Sequence, residues 1–296
     1  MALTTDEGSS STPPLLFAPR RRRLLVGRRG VVASALSSVI ILGVIVAVFW
    51  LAPGGATVRY FFFNPHLMWQ AFVGNPRRGL SSVGWGIITN LWMFAVSEVL
   101  VLFFGLVIAW VRLSQSPVLY PFRVLATMYT DVFRGVPMLL VIFMVGFGLP
   151  ELSIRFLSFQ SPAVYGCTAL TITYSAYVAE VYRAGVFSVP HGQLLAARSL
   201  GLTHTATMRR VILPQAVRTV IPPLLNDLIS LQKDTALVSV LGVIEATRAA
   251  QIYGSTVFNF SGYTVAAILF LLLTIPMTRF TDHLIARDRT RRLAGV

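Results

Sequence analysis

The sequence predicts an all-α membrane protein of six transmembrane helices with both termini in the cytoplasm, on three observations. Of 296 residues, 55% are hydrophobic and only 12% are charged, about half the charged share of an ordinary soluble domain. Apolar runs recur near the ~20 residues that cross a bilayer. The basic residues fall unevenly between the loops that those runs define. Mean hydropathy is +0.71. Too few ionisable groups are present to coat a water-facing surface, which excludes a soluble globular enzyme and a disordered chain. Net charge is +14, with 24 arginines and the lone lysine Lys233. In a soluble protein such a balance would point to nucleic acid; in a chain this apolar it reads as a topology signal.

The first span is Val31 to Ala52, which carries no charge. The second runs from about Trp85 to Val111 and contains Glu98. The third runs from about Val136 to Leu149, extended backwards by the polar stretch from Tyr129 to Gly135. The fourth covers about Ala163 to Tyr182. The fifth, about Leu224 to Val243, is interrupted by Lys233 and Asp234; the sixth, about Tyr263 to Ile285, contains Pro276, a kink position. Around these, 1–30 reads as a disordered basic tail, 53–84 as an extracytoplasmic loop and 286–296 as a basic tail. Within the loop, Pro65 to Phe72 suits a short interfacial helix beside Phe61, Phe62, Phe63 and Trp69.

Nineteen arginines fall on one side of this topology and five on the other. Basic loops stay cytoplasmic, which places both termini there. The first apolar run is about 22 residues, longer than a signal-peptide core of 7–15, and no Ala-x-Ala site follows, so it reads as an uncleaved anchor. The single cysteine, Cys167, lies in an apolar run and reads as a buried thiol; it allows no internal disulfide.

The most informative stretch is the loop 186–223. Pro190 suits a first helical turn, Gly201 a left-handed helix stop and Thr203 an N-cap. Pro214, Pro222 and Pro223 discourage long uninterrupted helix. The loop therefore reads as a pair of short helices near the membrane. Ala196 and Ala197 give the first a small-sided patch that permits close approach. Arg198, Arg209, Arg210 and Arg218 suit acidic headgroups or an acidic partner groove. By pattern alone, this is either a hairpin resting on lipid or a docking element.

The spacing of Ala196-Ala197-x3-Gly201, nine residues, then Val211-Ile212-Leu213-Pro214 resembles the "EAA" loop of ABC importer permeases. Four further stretches resemble the polar amino acid uptake branch of that family: Thr130 to Pro137, Ser175 to Gly185, Leu213 to Arg218 and Ile229 to Gly242. The similarity covers roughly residues 80–290. There are two departures: Leu195 stands where the motif has Glu, and Val211 where it has Ile. The family core has five spans, occupying 85–285 here, so the first helix over 31–52 is an addition.

The resemblance implies one half of a translocation pore. Two permease subunits, identical or related, would pair in a bacterial cytoplasmic membrane. Each would dock its loop, here Gly192, Ala196, Ala197, Arg198, Gly201, Val211, Leu213 and Pro214, into a groove of a cytoplasmic ABC ATPase subunit. An extracytoplasmic binding protein would deliver the amino acid. No Gly-x4-Gly-Lys-Ser/Thr phosphate loop occurs in the sequence. The chain is thus expected to bind no cofactor and not to be an enzyme, with ATP and Mg on the partner ATPase. Lipid is an expected partner and nucleic acid is not.

Ionisable groups in spans are costly and face a cavity or a partner. Asn90 and Ser97, seven apart, share a helix stripe with Glu98 one step round. Either this edge faces the pore, with Glu98 taking a cargo ammonium, or Glu98 bonds a neighbouring helix. Lys233 and Asp234 point about 100° apart and suit gating or subunit pairing. Arg134, Glu180 and Arg183 suit ion pairs that brace the loop. His191 and His204, thirteen apart with no nearby Cys, do not suggest a metal site. Two other function classes fit worse. A gradient-driven transporter or channel would show paired repeats, and an intramembrane enzyme a motif such as Gly-x-Ser-x-Gly or His-Glu-x-x-His.

Overall fold

The computed structural model describes residues 28–154 and 161–293. Among them regular structure is helical, and the β structure is one isolated bridge between Asn75 and Leu80. The chain divides into two units at Thr57 and Val58.

The first unit contains α1 (Arg28–Leu51), with a window from Ser34 to Leu51 of mean hydropathy 2.5. Ser37 and Ser38 donate to the Ser34 carbonyl at 2.9 and 2.8 Å, so their hydroxyls are satisfied inside the helix, as a bilayer requires. The helix starts inside the stretch 1–30 expected as a tail. The rest of that stretch, 1–27, and Arg155 lie outside the described residues.

The loop expected over 53–84 is more ordered than the sequence suggested. It holds α2 (Gly55–Phe62), α3 (Pro65–Val73) and a 3-10 turn, Pro76–Arg78. Asn64 caps α3, its Oδ1 accepting from the His66 and Leu67 amides. Ser82 then caps α4 (Val83–Leu113) by accepting from the Trp85 amide, and its hydroxyl donates to Phe72 O at 2.5 Å, tying α3 to α4.

At 31 residues, α4 is about 46 Å long. It is apolar all round, as a membrane helix is. Its buried stripe runs Val83, Ile87, Asn90, Met93, Ser97, Val101, Gly105 and Ala109, while Trp85, Trp92, Val99, Phe103 and Trp110 stay exposed. The stripe joins two clusters. One gathers Val83 and Ile87 with Ala246, Ala250, Tyr253 and Val265; the other gathers Met93 and Val101 with Ile142, Leu170, Val178, Leu231 and Val238.

The expected third span is broken. The polar stretch from Tyr129 to Gly135 ends a separate helix, α5 (Tyr120–Gly135), and the chain bends by 111° before α6 (Met138–Phe143). The break falls at Arg134-Gly135-Val136-Pro137, because the residue before a proline is pushed out of the helical region; Val136 is extended. After α6, a π-helical stretch, Met144–Gly148, leads to α7 (Leu149–Glu151).

The fourth element, α8 (Pro162–Phe187), is the most buried helix of the core and packs against α4, α5, α6 and the later helix over Leu213–Asp234. It is long enough to span but more polar than α4, since protein rather than lipid surrounds it. Small residues set its spacing: a Cβ on Gly105 of α4 would meet Val178, and one on Gly185 would meet Val220. Cys167 is buried here.

After α9 (His191–Ser199) comes α10 (His204–Thr207), which runs through a π turn, Met208–Ile212, into α11 (Leu213–Asp234). This corrects the expected pair of short helices. Pro214 sits at the start of α11, where a missing N–H costs nothing, and the Leu213 amide reaches back to Met208 O through the π turn. Pro222 and Pro223 lie inside α11 without ending it, as neighbours and local adjustment allow in packed membrane helices. A 3-10 stretch, Thr235–Leu241, leads to α12 (Ala246–Val257), bent by 48°, and then to α13 (Ser261–Leu293). Pro276 lies within α13, and α13 absorbs most of the expected tail over 286–296. Among the described residues three helices are long and apolar enough to cross a membrane, or up to five if each bent pair counts as one span.

Candidate functional site

The loop motif folds as a short helix, α9, closed at its end and followed by a capped second helix. Leu200 N bonds to Ala196 O at 3.1 Å, and Gly201 N to Arg198 O at 2.9 Å. Leu202 N reaches Ala197 O at 3.1 Å, which closes the helix end with Gly201 at φ +78°. That is the left-handed stop glycine supplies at least cost. Thr203 caps α10, accepting from the Ala206 amide. Gln215 Nε2 donates to Gln193 Oε1 and, at 2.9 Å, to Val211 O, fastening α9 to the start of α11.

Ala197 and Ile212 face inward, while Gly192, Leu195, Ala196, Arg198, Leu213 and Pro214 are exposed and Val211 is half-buried. A Cβ added at Gly192 would meet nothing within 4 Å beyond its own helix. The outward face of α9 is thus low, carrying Gly192 and Ala196 beside Leu195, half-exposed at 52%. The Gln193–Gln215 contact and the π turn connect α9 to α11.

The ion pairs expected around Glu180 are present, and Arg112, not named for them from the sequence, joins them. Arg183 reaches Glu180 with Nε to Oε2 at 3.0 Å and Nη2 to Oε1 at 2.5 Å, and Arg112 Nη1 reaches Oε2 at 2.8 Å. Arg134 Nη1 lies 3.9 Å from Oε2. Arg112 has a readable signal, as the basic residue of the last turn of α4. Lys233 and Asp234 do not face each other: Lys233 is exposed, while Asp234 Oδ2 accepts from the Tyr174 hydroxyl at 2.8 Å.

The polar edge expected along the pore is corrected. Asn90 is 1% exposed and Ser97 is fully buried, so neither lines an open face. Asn90 Nδ2 donates to Thr235 Oγ1 and to Glu245 Oε2, both at 3.0 Å, and its Oδ1 accepts from Ala246 N at 3.1 Å. Glu245, absent from the sequence reading, is fully buried and caps α12, its oxygens accepting from the Thr247 and Arg248 amides at 2.9 and 2.7 Å. A Cβ on Gly86, one turn before Asn90, would lie 2.5 Å from Ala246 N. Glu98 alone of the three keeps partial exposure.

A helical bundle with membrane-spanning elements, whose one motif-bearing loop projects a low-sided helix locked to a core helix, has the form of a membrane transport subunit. The family model described as "Binding-protein-dependent transport system inner membrane component" matches residues 102–290, and the chain belongs to that family. It is 33% identical over 195 residues to the arginine transport system permease protein ArtQ of Bacillus subtilis, covering 65% of this chain and 86% of ArtQ. To the nopaline transport system permease protein NocQ of Agrobacterium fabrum it is 36% identical over 204 residues, covering 66% and 85%. A solved structure titled as an amino acid ABC transporter with histidines superposes with a TM-score of 0.64 at 33% identity, covering 69% of this chain and 93% of that one. The MetNI methionine ABC transporter, at 18% identity and TM-score 0.58, shares the fold. The chain is thus an integral membrane permease of the ABC transporter type.

Proposed function

We propose that this chain forms half of the pore of an importer for polar amino acids, six helices crossing the membrane with both termini cytoplasmic. The cargo reading is supported by the relatives' named substrates, arginine and nopaline. The observation that carries the mechanism is α9: exposed, low-sided and locked to α11. In this reading α9 docks on a separate ATPase subunit, which holds ATP and Mg, and a second permease completes the pore. An extracytoplasmic binding protein supplies the amino acid. ATPase closure moves α9, α11 follows, and the pore alternates between its two openings. The loss of the motif's Glu at Leu195 leaves the docking to shape and to Arg198.

Vanadate-sensitive, ATP-dependent amino acid uptake by this chain reconstituted with its ATPase and binding protein is the expected result. Uptake driven by an ion gradient without ATP would overturn the reading. Glu98 remains the candidate for contact with cargo. Glu98→Gln should raise the apparent KM for uptake about tenfold, on the order of 1.4 kcal/mol; an unchanged KM removes it from the path.

A further inference from the structure

On the import reading above, which puts 53–84 and the turn after α12 outside the membrane, we propose that the turn carrying Arg77 and Arg78, together with the ring of Phe258, docks the delivering binding protein. That partner meets it with an acidic patch beside an apolar notch. The turn is tightly constructed. Asn75 N bonds to Leu80 O at 2.8 Å and Leu80 N to Asn75 O at 3.0 Å, closing the chain across the 3-10 turn Pro76–Arg78. Gly74 and Gly79 flank it at φ +76° and +70°, where glycine enters at least cost. A Cβ on Gly74 would lie 2.6 Å from Ser82 N, so the turn sits hard against the start of α4. Behind it, Ala71 and Leu80 are buried in one cluster with Ala246, Ala250 and Tyr253.

On this base Arg77 and Arg78 are exposed, and neither has a hydrogen bond or ion pair among the described residues. Arginines on the outer side of a span work against the orientation that nineteen others set, and no contact within the chain offsets that cost here. The segments 53–84 and 246–262, which the cluster brings together, hold four arginines and no Asp or Glu. An acid-free cationic surface calls for an acidic partner. Successive residues of a 3-10 turn stand about 120° apart. The two guanidinium groups are therefore spread for carboxylates on a protein surface and do not converge on one lipid phosphate.

Phe258 points to the same partner. It ends α12 in the left-handed region at φ +54° and is 81% exposed. A bulky residue is strained there, whereas glycine would serve the same backbone freely. The bend is held from behind: Asn259 Nδ2 donates to Tyr60 O at 3.0 Å, and its Oδ1 accepts from Ser261 N at 2.9 Å. Val257, just before the ring, packs on the same cluster as Leu80. Aromatic rings and arginines are the side chains that protein interfaces concentrate.

The test measures the Kd of the cargo-loaded binding protein for the assembled importer in nanodiscs, and uptake by the same importer in proteoliposomes as binding protein is varied. Arg77→Glu combined with Arg78→Glu should raise Kd about tenfold, with uptake at saturating binding protein near wild type. Phe258→Gly should raise Kd about fivefold while the melting temperature stays at or above wild type, which a structural role for the ring would not allow. Arg279→Glu, the same kind of charge change on the cytoplasmic side, should leave Kd unchanged. Unchanged Kd in the assembled double variant or in Phe258→Gly, with uptake still dependent on binding protein, overturns this site alone. A loss seen in discs containing phosphatidylglycerol and absent in phosphatidylcholine discs would assign the arginines to lipid headgroups and overturn it too. Wild-type uptake that needs no binding protein would overturn the import reading itself.

Discussion

The loop around α9 and the junction where α4 meets α12 are both helix ends, and they are built in opposite ways. The loop is stopped and capped by neighbours: Gly201 closes α9 and Thr203 starts α10, through bonds spanning three to five residues. The junction is held by partners about 150 residues apart, Asn90 with Thr235, Glu245 and the Ala246 amide, all buried. One presents an exposed face and risks little stability. The other hides a carboxylate and tolerates little change. A surface meant to meet a partner can be assembled from local rules, whereas fixing two membrane helices across a broken span requires groups that are distant in sequence.

The largest effect that would break this contrast is at Gly86. A Cβ there would sit 2.5 Å from Ala246 N and 2.6 Å from Glu245 C, both backbone atoms. Gly86→Ala should cost about 3 kcal/mol, since backbone cannot yield as a side-chain tip can, and should lower the melting temperature in detergent. A melting temperature equal to wild type would show that the junction is soft. Glu245→Ala comes next. It removes the α12 cap, about 1 kcal/mol, and strands an Asn90 donor, about 1–3 kcal/mol more. Combined with Asn90→Ala the two losses should not add, with a coupling of about 0.5–3 kcal/mol in a double-mutant cycle; strict additivity would dissolve the network. Gly201→Ala forces a side chain into the left-handed region at φ +78° and should cost about 1 kcal/mol, with uptake falling further than stability because α9 is re-aimed. Equal losses in both would make Gly201 merely structural.

How far each region could be read from sequence follows from the same physics. The start and stop of α9 and the cap of α10 were visible in Pro190, Gly201 and Thr203, because each acts on its own turn. The long apolar helices were visible as apolar runs, whereas α8, expected as the fourth span, is long enough but falls outside the helices that are apolar enough to cross a membrane. What local pattern could not supply was the continuation of α10 through the π turn into α11, where Pro214, Pro222 and Pro223 argued for a break and packing overrode them. Nor could it show that Asn90 and Ser97 face protein. Seven-residue spacing places two residues on one stripe but does not say what the stripe meets. Glu245 gave no signal at all, since its meaning lies in Asn90 and in the amides of a helix that begins only because the chain bends there. Arg112 was readable as a helix-end cation and Glu180 as an ion-pair residue, but their pairing with each other was not.

The central claim is that α9 serves a partner and not the fold, and Ala196→Trp tests it most directly. Ala196 is exposed, so a bulky ring there should leave the detergent melting temperature of the purified permease within about 0.5 kcal/mol of wild-type stability. The same ring spoils the low face of the helix. With melting temperature and ATP-driven uptake measured on one reconstituted preparation, the account predicts an unchanged melting temperature and uptake lowered at least about tenfold, on the order of 1.4 kcal/mol of docking energy. Uptake at wild-type rate, or a melting temperature that falls together with uptake, would contradict it.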